Sequence, residues 1–325
     1  MKAVLCKQHG LPDTLVVEDV PALKAGPGQV VVGVKAAGVN FPDVLIIQGK
    51  YQFKPEPPFS PGGEVAGVIT QLGAGVHGVK LGDRVIASST FGGFAQELVT
   101  DADRLIPMPD AMDFVPASAF VLTYGTSYHA LKDRAQLKSG ETLLVLGASG
   151  GVGLAAVQIG KAMGAHVIAA ASSDAKLSVC KDNGAHELIN YAQEDLRARI
   201  KASTDGRGVD VVYDPVGGAY SELALRDTAW NGRFLVVGFA AGDIPKVPLN
   251  LALLKGCSIV GVFWGAFTRN QPEVNRRNNQ ELLQMYLDGK VKPHIHATYP
   301  LERAAEALNE VMHKRVSGKV VLTTE

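Results

Sequence analysis

The sequence predicts an α/β fold in which a doubly wound, parallel, six-stranded sheet is joined to a second, β-rich domain. Three observations predict it. From about Thr123 to Trp264 short apolar strands alternate with helical patterns; a glycine-dense turn, Gly147-Ala148-Ser149-Gly150-Gly151-Val152-Gly153, separates the first of those strands from its helix; and before Leu122 the apolar runs are short and cut by Gly and Pro. A chain of 325 residues is long enough for two packed cores at about 150 residues each.

Taken in order, AVLC, TLVVEDV, QVVVGVKAAGV, GEVAGVITQLG, DRVIAS and FAQELV read as strands of an irregular barrel or sandwich, interrupted by one helix near Asn40 to Gln48. The alternating part follows: TLLVL and a helix from Val152; HVIAAA and Asp174 to Asn183; HELIN and Gln193 to Ala202; VDVVYD and Tyr220 to Trp230; then RFLVVGF and SIVGVFW. The tail offers an amphipathic helix from Pro272 to Leu287 stopped by Gly289, a second from Leu301 to His313, and a last strand, KVVLTT.

Composition narrows the function. Lys plus Arg and Asp plus Glu are both 32, so the formal charge is zero, which argues against a globally basic nucleic-acid or membrane-surface binder. Arg276-Arg277 near Arg269 is the one basic cluster, and no stacking aromatics are interleaved with it; it reads as a solvated helix face. Three scattered cysteines form neither a CxxC pair nor a disulfide framework, and the N-terminus lacks a signal-peptide core, so a cytoplasmic protein is expected. The uncharged run Thr142 to Gly160 approaches the ~20 residues of a membrane span. Its internal glycines make it strand, turn and helix instead.

Ala148, Gly150 and Gly153 occupy the three positions of the GxGxxG spacing. Such a turn must be tight, must let a pyrophosphate approach the backbone, and must offer free N–H groups and the positive dipole end of the following helix to that anion, with Gly151 and Val152 in its first turn. The alternative is a plain strand-to-helix turn; its place at the head of an alternating series favours dinucleotide binding. An acid at the end of the second strand would bond the ribose 2′-hydroxyl of NAD. Ala169, Ala170 and Ala171 stand there, followed by Ser172, Ser173 and Lys176, which favours NADPH; Asp174 is the counter-observation, read as the start of the next helix.

AAGVNFPDVLIIQGKY, PGGEVAGVI, LGDRV, TYGTSYHAL, GASGGVG, VVGFAAG, VFWG and SGKVVL together resemble the zinc-independent quinone oxidoreductase branch of the medium-chain dehydrogenase/reductase superfamily over essentially the whole chain. The resemblance implies a GroES-like β-barrel catalytic domain from residues 1–122 and 266–325, a dinucleotide-binding domain from 123–265, a cleft between them, and a homodimer. It places Asn40, Thr126, Gly238 and Phe239 around the nicotinamide and its ribose, with Phe263, Trp264 and Gly265 completing that wall, and gives Lys176 and Tyr191 to the 2′-phosphate. Each has a plainer reading: Asn40 as a helix cap with Asp43, Phe263 and Trp264 as strand core, Tyr191 as a surface residue.

In zinc-dependent relatives a cysteine occupies the Asn40 position and a histidine precedes the glutamate of Gly62-Gly63-Glu64; both ligands are replaced here, and TFGGFAQELVT stands where a four-cysteine lobe would. No metal is therefore expected. His294 and His296 read as half-exposed strand residues. Without a Lewis acid, simple alcohol oxidation is disfavoured, whereas a quinone or enone delocalises the charge of an incoming hydride. Tyr51 is the proton-donor candidate, with the Asn40 amide and water as competitors and a substrate-wall role as its alternative; the family's tyrosine at the Leu45 position is missing. The expected function is NADPH-dependent reduction of quinones or other conjugated carbonyls, with enoyl thioester or 2-alkenal reduction, or a non-enzymatic NADPH-binding or RNA-associated protein, as the other readings.

Overall fold

A computed structural model describes residues 1–324 and divides them into two compact units, one from residues 1–122 and 293–324, the other from residues 123–292. The expected border at residue 265 lies too early. Helix residues 272–287 belong to the second unit because their polar face is bonded there: Tyr128 Oη donates to Glu281 at 2.6 Å and Asn278 Nδ2 to Asp133 at 2.8 Å; beyond the helix, the Lys292 N–H donates to Gln158 Oε1 at 2.8 Å.

The first unit opens with the hairpin-like pair β1 (Lys2–Leu5) and β2 (Val16–Asp19), then β3 (Gln29–Val39), α1 (Phe41–Ile47), β4 (Glu64–Leu72), β5 (Arg84–Ser88), β6 (Glu97–Asp101), β7 (Leu105–Pro107) and the short α2 (Phe114–Ala117). Helix α3 (Val121–Tyr128) leads through a π-helical stretch, His129–Arg134, into the second unit. There follow β8 (Thr142–Leu146), α4 (Gly151–Ala162), β9 (His166–Ala171), α5 (Asp174–Asp182), β10 (Glu187–Asn190), α6 (Leu196–Ser203), β11 (Val209–Asp214), α7 (Ala219–Arg226), β12 (Thr228–Val236), α8 (Asn250–Lys255), β13 (Ser258–Gly261), α9 (Trp264–Asn270) and α10 (Pro272–Leu287). The tail returns to the first unit as β14 (Ile295–Pro300), α11 (Ala304–Met312) and β15 (Lys319–Thr323).

In the second unit all six strands run parallel in the order β10-β9-β8-β11-β12-β13. The series starts at the centre and is extended first to one side, then to the other. The switch falls between β8 and β11, where open α/β sheets bind ligands beyond their strand C-termini. Buried Leu143, Leu144, Val145 and Leu146 fill β8, as a strand covered on both faces requires.

In the first unit the long β3 is the organising strand. It pairs with β4 along one side, and with β6 and β15 along the two halves of the other. The antiparallel register sets Val320 opposite Val39, which brings Lys319 beside Asn40. The core beneath is built from Val34, Val39, Ile47, Val65, Phe94, Leu308 and Leu322.

Several sequence expectations shift at element ends. SIVGVFW is a strand only to Gly261; Trp264 starts α9, so Phe263 and Trp264 are not strand core. The helix expected through Trp230 ends at Arg226, because the chain turns at Asp227 into β12 and leaves Trp230 exposed. Asp195 caps α6 by accepting from the Ala198 N–H, so that helix starts at Leu196 rather than Gln193. The helix expected from Leu301 begins as a 3₁₀ turn, Leu301–Arg303, before α11. No helix among the described residues is long and apolar enough to cross a membrane.

Candidate functional site

The glycine turn sits where β8 ends. Gly147 has φ +56°, and a Cβ there would lie 2.7 Å from Val216 Cγ2. Ala148 is fully buried and its N–H donates to the Ala170 carbonyl at 3.0 Å. Gly153 is the position that admits nothing larger, since a Cβ would lie 2.4 Å from the Gly147 carbonyl oxygen and 2.8 Å from Ala148 Cα. Gly150 differs: a Cβ there would meet only Gly147 O, at 3.5 Å, an ordinary contact. The protein itself does not require glycine at 150, whereas a pyrophosphate lying against the backbone would. Gly150 precedes α4 without any side-chain cap, so no side chain competes with an anion for the first-turn N–H groups of Gly151, Val152 and Gly153. A dinucleotide diphosphate fits this cradle.

At the end of the neighbouring strand, β9, Lys176 Nζ donates to Ser172 Oγ at 3.3 Å, and Tyr191 is hydrogen-bonded to Ser172 as well. Tyr191 is no loose surface residue. Its ring packs on Tyr220 with centroids 4.3 Å apart, and burial pushes its hydroxyl up to about 12, so it stays a neutral hydroxyl. Ser173 caps α5, accepting from the Lys176 N–H at 3.4 Å, while the Asp174 carboxylate accepts from Asn190 Nδ2 at 2.7 Å. The one acid of this segment is thereby held in a structural bond, and a hydroxyl, an ammonium and a phenol are grouped at the strand end. That set suits a phosphate rather than a bare ribose hydroxyl.

Beyond β11 and β12 the chain is drawn together by Asp214. Its buried carboxylate accepts from the N–H groups of Val216 and Gly217 at 2.8 and 2.9 Å and from Ser221 Oγ, and burial raises its pKa. The Gly238–Ala241 stretch is tied to the same corner through Ala240 N–H to Pro215 O and Ala241 N–H to Val216 O, which leaves Phe239 partly exposed beside Gly217. Thr126 lies half-buried on α3. Its neighbour Gly125 lets the Trp264 ring approach so closely that a Cβ would sit 2.9 Å from Trp264 Nε1, a buried N–H without an acceptor among the described residues. Ser127 Oγ donates to the Val152 carbonyl at 2.8 Å and ties α3 to the start of α4. Phe263 is exposed at the head of α9, and a Cβ on Gly265 would meet only the Phe263 ring, at 3.6 Å.

In the first unit, Asn40 does begin α1: its N–H donates to Asp43 Oδ2 at 2.8 Å and the Asp43 N–H returns to the Asn40 carbonyl at 3.0 Å. Its side chain has other partners. Nδ2 donates to Gly38 O at 3.2 Å and to Glu64 Oε2 at 3.3 Å, and Oδ1 accepts from Lys319 Nζ. Lys319 also donates to Val39 O at 2.9 Å and lies 3.7 Å from Glu64 Oε2. Asn40, Asp43, Glu64 and Lys319 are all at most 5% exposed. Burial pushes Asp43 up to about 7 against the pull of the Asn40 N–H and of Lys319; it raises Glu64 and lowers Lys319 in the same way. The Leu122 N–H, at 2.9 Å, and the Val121 N–H also donate to Glu64.

These donors do not suit a catalytic zinc. An amide whose oxygen accepts from an ammonium, and carboxylates already bonded to N–H groups and to that ammonium, offer no three-ligand set, and a divalent cation would have to displace Lys319. His296 is exposed and the His294 carbonyl accepts from the Lys319 N–H, so neither histidine is directed to this network by its backbone. Tyr51 is half-buried against the barrel core, near the aromatic row in which Phe53 stacks on Phe91 and Phe91 meets Phe59 edge-on. Lys319 and Glu64 escaped the sequence reading of the site. The signal available was a lysine opening an apolar strand and a glutamate opening another.

Comparison with known proteins agrees with this architecture. Residues 26–110 match the family model for the alcohol dehydrogenase GroES-like domain, and residues 151–279 that for zinc-binding dehydrogenase. The chain is 39% identical over 328 residues to the quinone oxidoreductase-like protein 2 homolog of Nematostella vectensis, covering all of this chain and 89% of that one. Among solved structures, a probable oxidoreductase from Mycobacterium abscessus is 40% identical, with TM-score 0.91 and 99% and 98% coverage. Escherichia coli quinone oxidoreductase complexed with NADPH is 30% identical, with TM-score 0.94 and 99% and 100% coverage. A glycine cradle at the switch point of a 3-2-1-4-5-6 sheet, a GroES-like unit completed by the chain's last strand, and relatives matching from end to end lead to one conclusion: the chain belongs to the medium-chain dehydrogenase/reductase superfamily, in its quinone oxidoreductase-like branch.

Proposed function

We propose that the protein is an NADPH-dependent reductase that delivers hydride to quinones or other conjugated carbonyls without zinc. The observation that carries the cofactor is the Ser172, Lys176 and Tyr191 group beside an alanine-ended strand, with Asp174 at the start of α5 bonded to Asn190; the NADPH complex of the Escherichia coli relative supports it. NADPH, when bound, supplies the hydride. The chain's residues do the rest: Gly150 and Gly153 admit the diphosphate to the α4 N-terminus, and Thr126, Gly238, Phe239, Phe263, Trp264 and Gly265 form the wall for the nicotinamide. In this reading Asn40 and Tyr51 are the residues assigned to the substrate, Tyr51 as a packing surface for it. A buried ammonium among the carboxylates, where the related zinc enzymes would need a metal, supports acceptors whose own conjugation spreads negative charge.

Half-buried Leu45 on α1 stands where the family's quinone reductases can carry a tyrosine, and this more apolar residue supports a second reading of the same chemistry, reduction of 2-alkenals or enoyl thioesters. Rates of NADPH and NADH oxidation with a 1,4-quinone, an enal, an enoyl thioester and a primary alcohol decide the matter. Brisk alcohol turnover, or none with any conjugated acceptor, overturns the proposal. We further infer a cytoplasmic homodimer: all three cysteines are buried free thiols, and β13 is an edge strand bearing exposed Ile259, with Leu249, Leu253 and Leu254 exposed around α8.

A further inference from the structure

Lys319 is the least expected member of the buried network. A lysine side chain is almost never fully buried unless paired, and here its ammonium is committed at every contact: to the Val39 carbonyl, to Asn40 Oδ1, and to the Glu64 carboxylate. A carboxamide turns about its last side-chain bond, and its two ends differ, one accepting and the other donating. With Lys319 on Oδ1, and with Gly38 O and Glu64 Oε2 on Nδ2, only one of the two orientations of the Asn40 amide satisfies all its neighbours. Flipping it would set the –NH2 group against the ammonium and the carbonyl oxygen against a carboxylate. The same ammonium balances charge between Asp43, which fixes the Asn40 backbone, and Glu64, which fixes the Asn40 side chain.

We propose that Lys319 is a positioning residue of the reductase site: through its bond to the Asn40 carboxamide it locks Asn40 in a single orientation, and it acts on hydride transfer only through Asn40. The proposal deepens the reading of Asn40 as a residue at the reacting end of the site and rests on it. Lys319 touches neither cofactor nor acceptor in this account. The geometric reason it lies in place is the β3 to β15 register.

The test is a double-mutant cycle on kcat with NADPH and a conjugated acceptor, using Lys319→Met, Asn40→Ala and the double variant. Each single variant is expected to lose about ten- to a hundredfold in kcat, the cost of a misplaced reacting geometry. The double variant is expected to lose no more than the more damaged single, because Lys319 has nothing left to position once the Asn40 amide is gone. Independent, multiplying losses overturn the proposal, as they would follow from general loosening of the unit. If Lys319→Met does not fold, Lys319→Met/Glu64→Gln, which removes the ammonium and its carboxylate together, takes its place, compared with Glu64→Gln as the parent. A readout separate from activity is the side-chain amide signal of Asn40 in ¹⁵N-asparagine-labelled protein, assigned by its loss in Asn40→Ala. It is expected as one slowly exchanging pair in the wild type and as a shifted, faster-exchanging pair without Lys319; an unchanged pair overturns the proposal. A wild type inactive on every conjugated acceptor sinks the reductase reading, and the amide signal still decides the role of Lys319.

Discussion

Gly153 and the carbonyl of Gly147 are so close that a methyl group at 153 would lie 2.4 Å from the oxygen, whereas at Gly150 the nearest atom, the same oxygen, is 3.5 Å away. One glycine serves the packing of the turn, and the other leaves room for a ligand. Gly153→Ala is therefore expected to lower the melting temperature and weaken NADPH together, by about 1–3 kcal/mol of overpacking in stability. Gly150→Ala should melt like the wild type and lose NADPH affinity alone. Calorimetry and a fluorescence titration with NADPH check both; equal melting losses would refute the distinction.

Lys176 bears on the choice between the two nicotinamide cofactors. A charge-assisted hydrogen bond contributes about 1.5–3 kcal/mol, so Lys176→Ala should weaken NADPH by roughly ten- to a hundredfold and leave NADH nearly unchanged. Dissociation constants for both cofactors provide the check. Parallel losses would show that Lys176 does not read the 2′-phosphate.

Asp43 makes stability depend on pH in an unusual direction. Its folded pKa, about 7, lies above the ordinary 3.8, so the folded chain holds a proton that the unfolded chain releases over that interval. The contribution is present in full below about pH 4 and lost as pH rises through 7, which is the reverse of a salt-bridged aspartate. Urea midpoints of the wild type and Asp43→Asn across this range should diverge, the wild type losing ground toward pH 7. A parallel pair of curves would contradict the assignment.

For Tyr51, packing against the core favours a wall role. A general acid typically adds about 10²–10⁴-fold. Tyr51→Phe should keep appreciable kcat/KM on a quinone, whose reduced anion takes a proton from water, and lose more on an enone. Complete loss on quinones would make Tyr51 an essential acid.

Edge strand β13 supplies a test of assembly. Ile259→Glu puts a charge on an exposed edge position, which the fold tolerates and a strand-to-strand dimer does not. Sedimentation should show a dimer become a monomer. An unchanged coefficient would remove β13 from the interface.

Much of this molecule was legible in one dimension because its signals are local. The six parallel strands announce themselves as apolar runs between helices, and the turn at 147–153 carries its own chemistry. Ser172 and Lys176 were read from their place one strand along from that turn, and Tyr191 from the family resemblance; the structure sets the three side by side. The fates of Trp264 and α10 were not legible: an apolar FW reads as strand until the ring is seen against Gly125, and the polar residues Asn278 and Glu281 look solvated until Asp133 and Tyr128 meet them. Lys319 was hidden for a plainer reason. It is 279 residues from the amide it holds, and only the pairing of β15 with β3 brings the two together.

That pairing also sets a schedule. The second unit is continuous in the chain, so all its strands have left the ribosome before β15 has been made, and it can close on itself as a finished insert. The first unit waits. Its longest strand, β3, is synthesised before the whole of the second unit, yet half of one edge stays open until β15 follows that unit. Domains fold as units during synthesis, at about 5–20 residues per second, so the buried cluster at Asn40 is assembled last, after the cofactor cradle is already formed. A nascent chain halted just short of Lys319 would carry a complete nucleotide-binding unit and an unpaired strand edge on which another chain can pair.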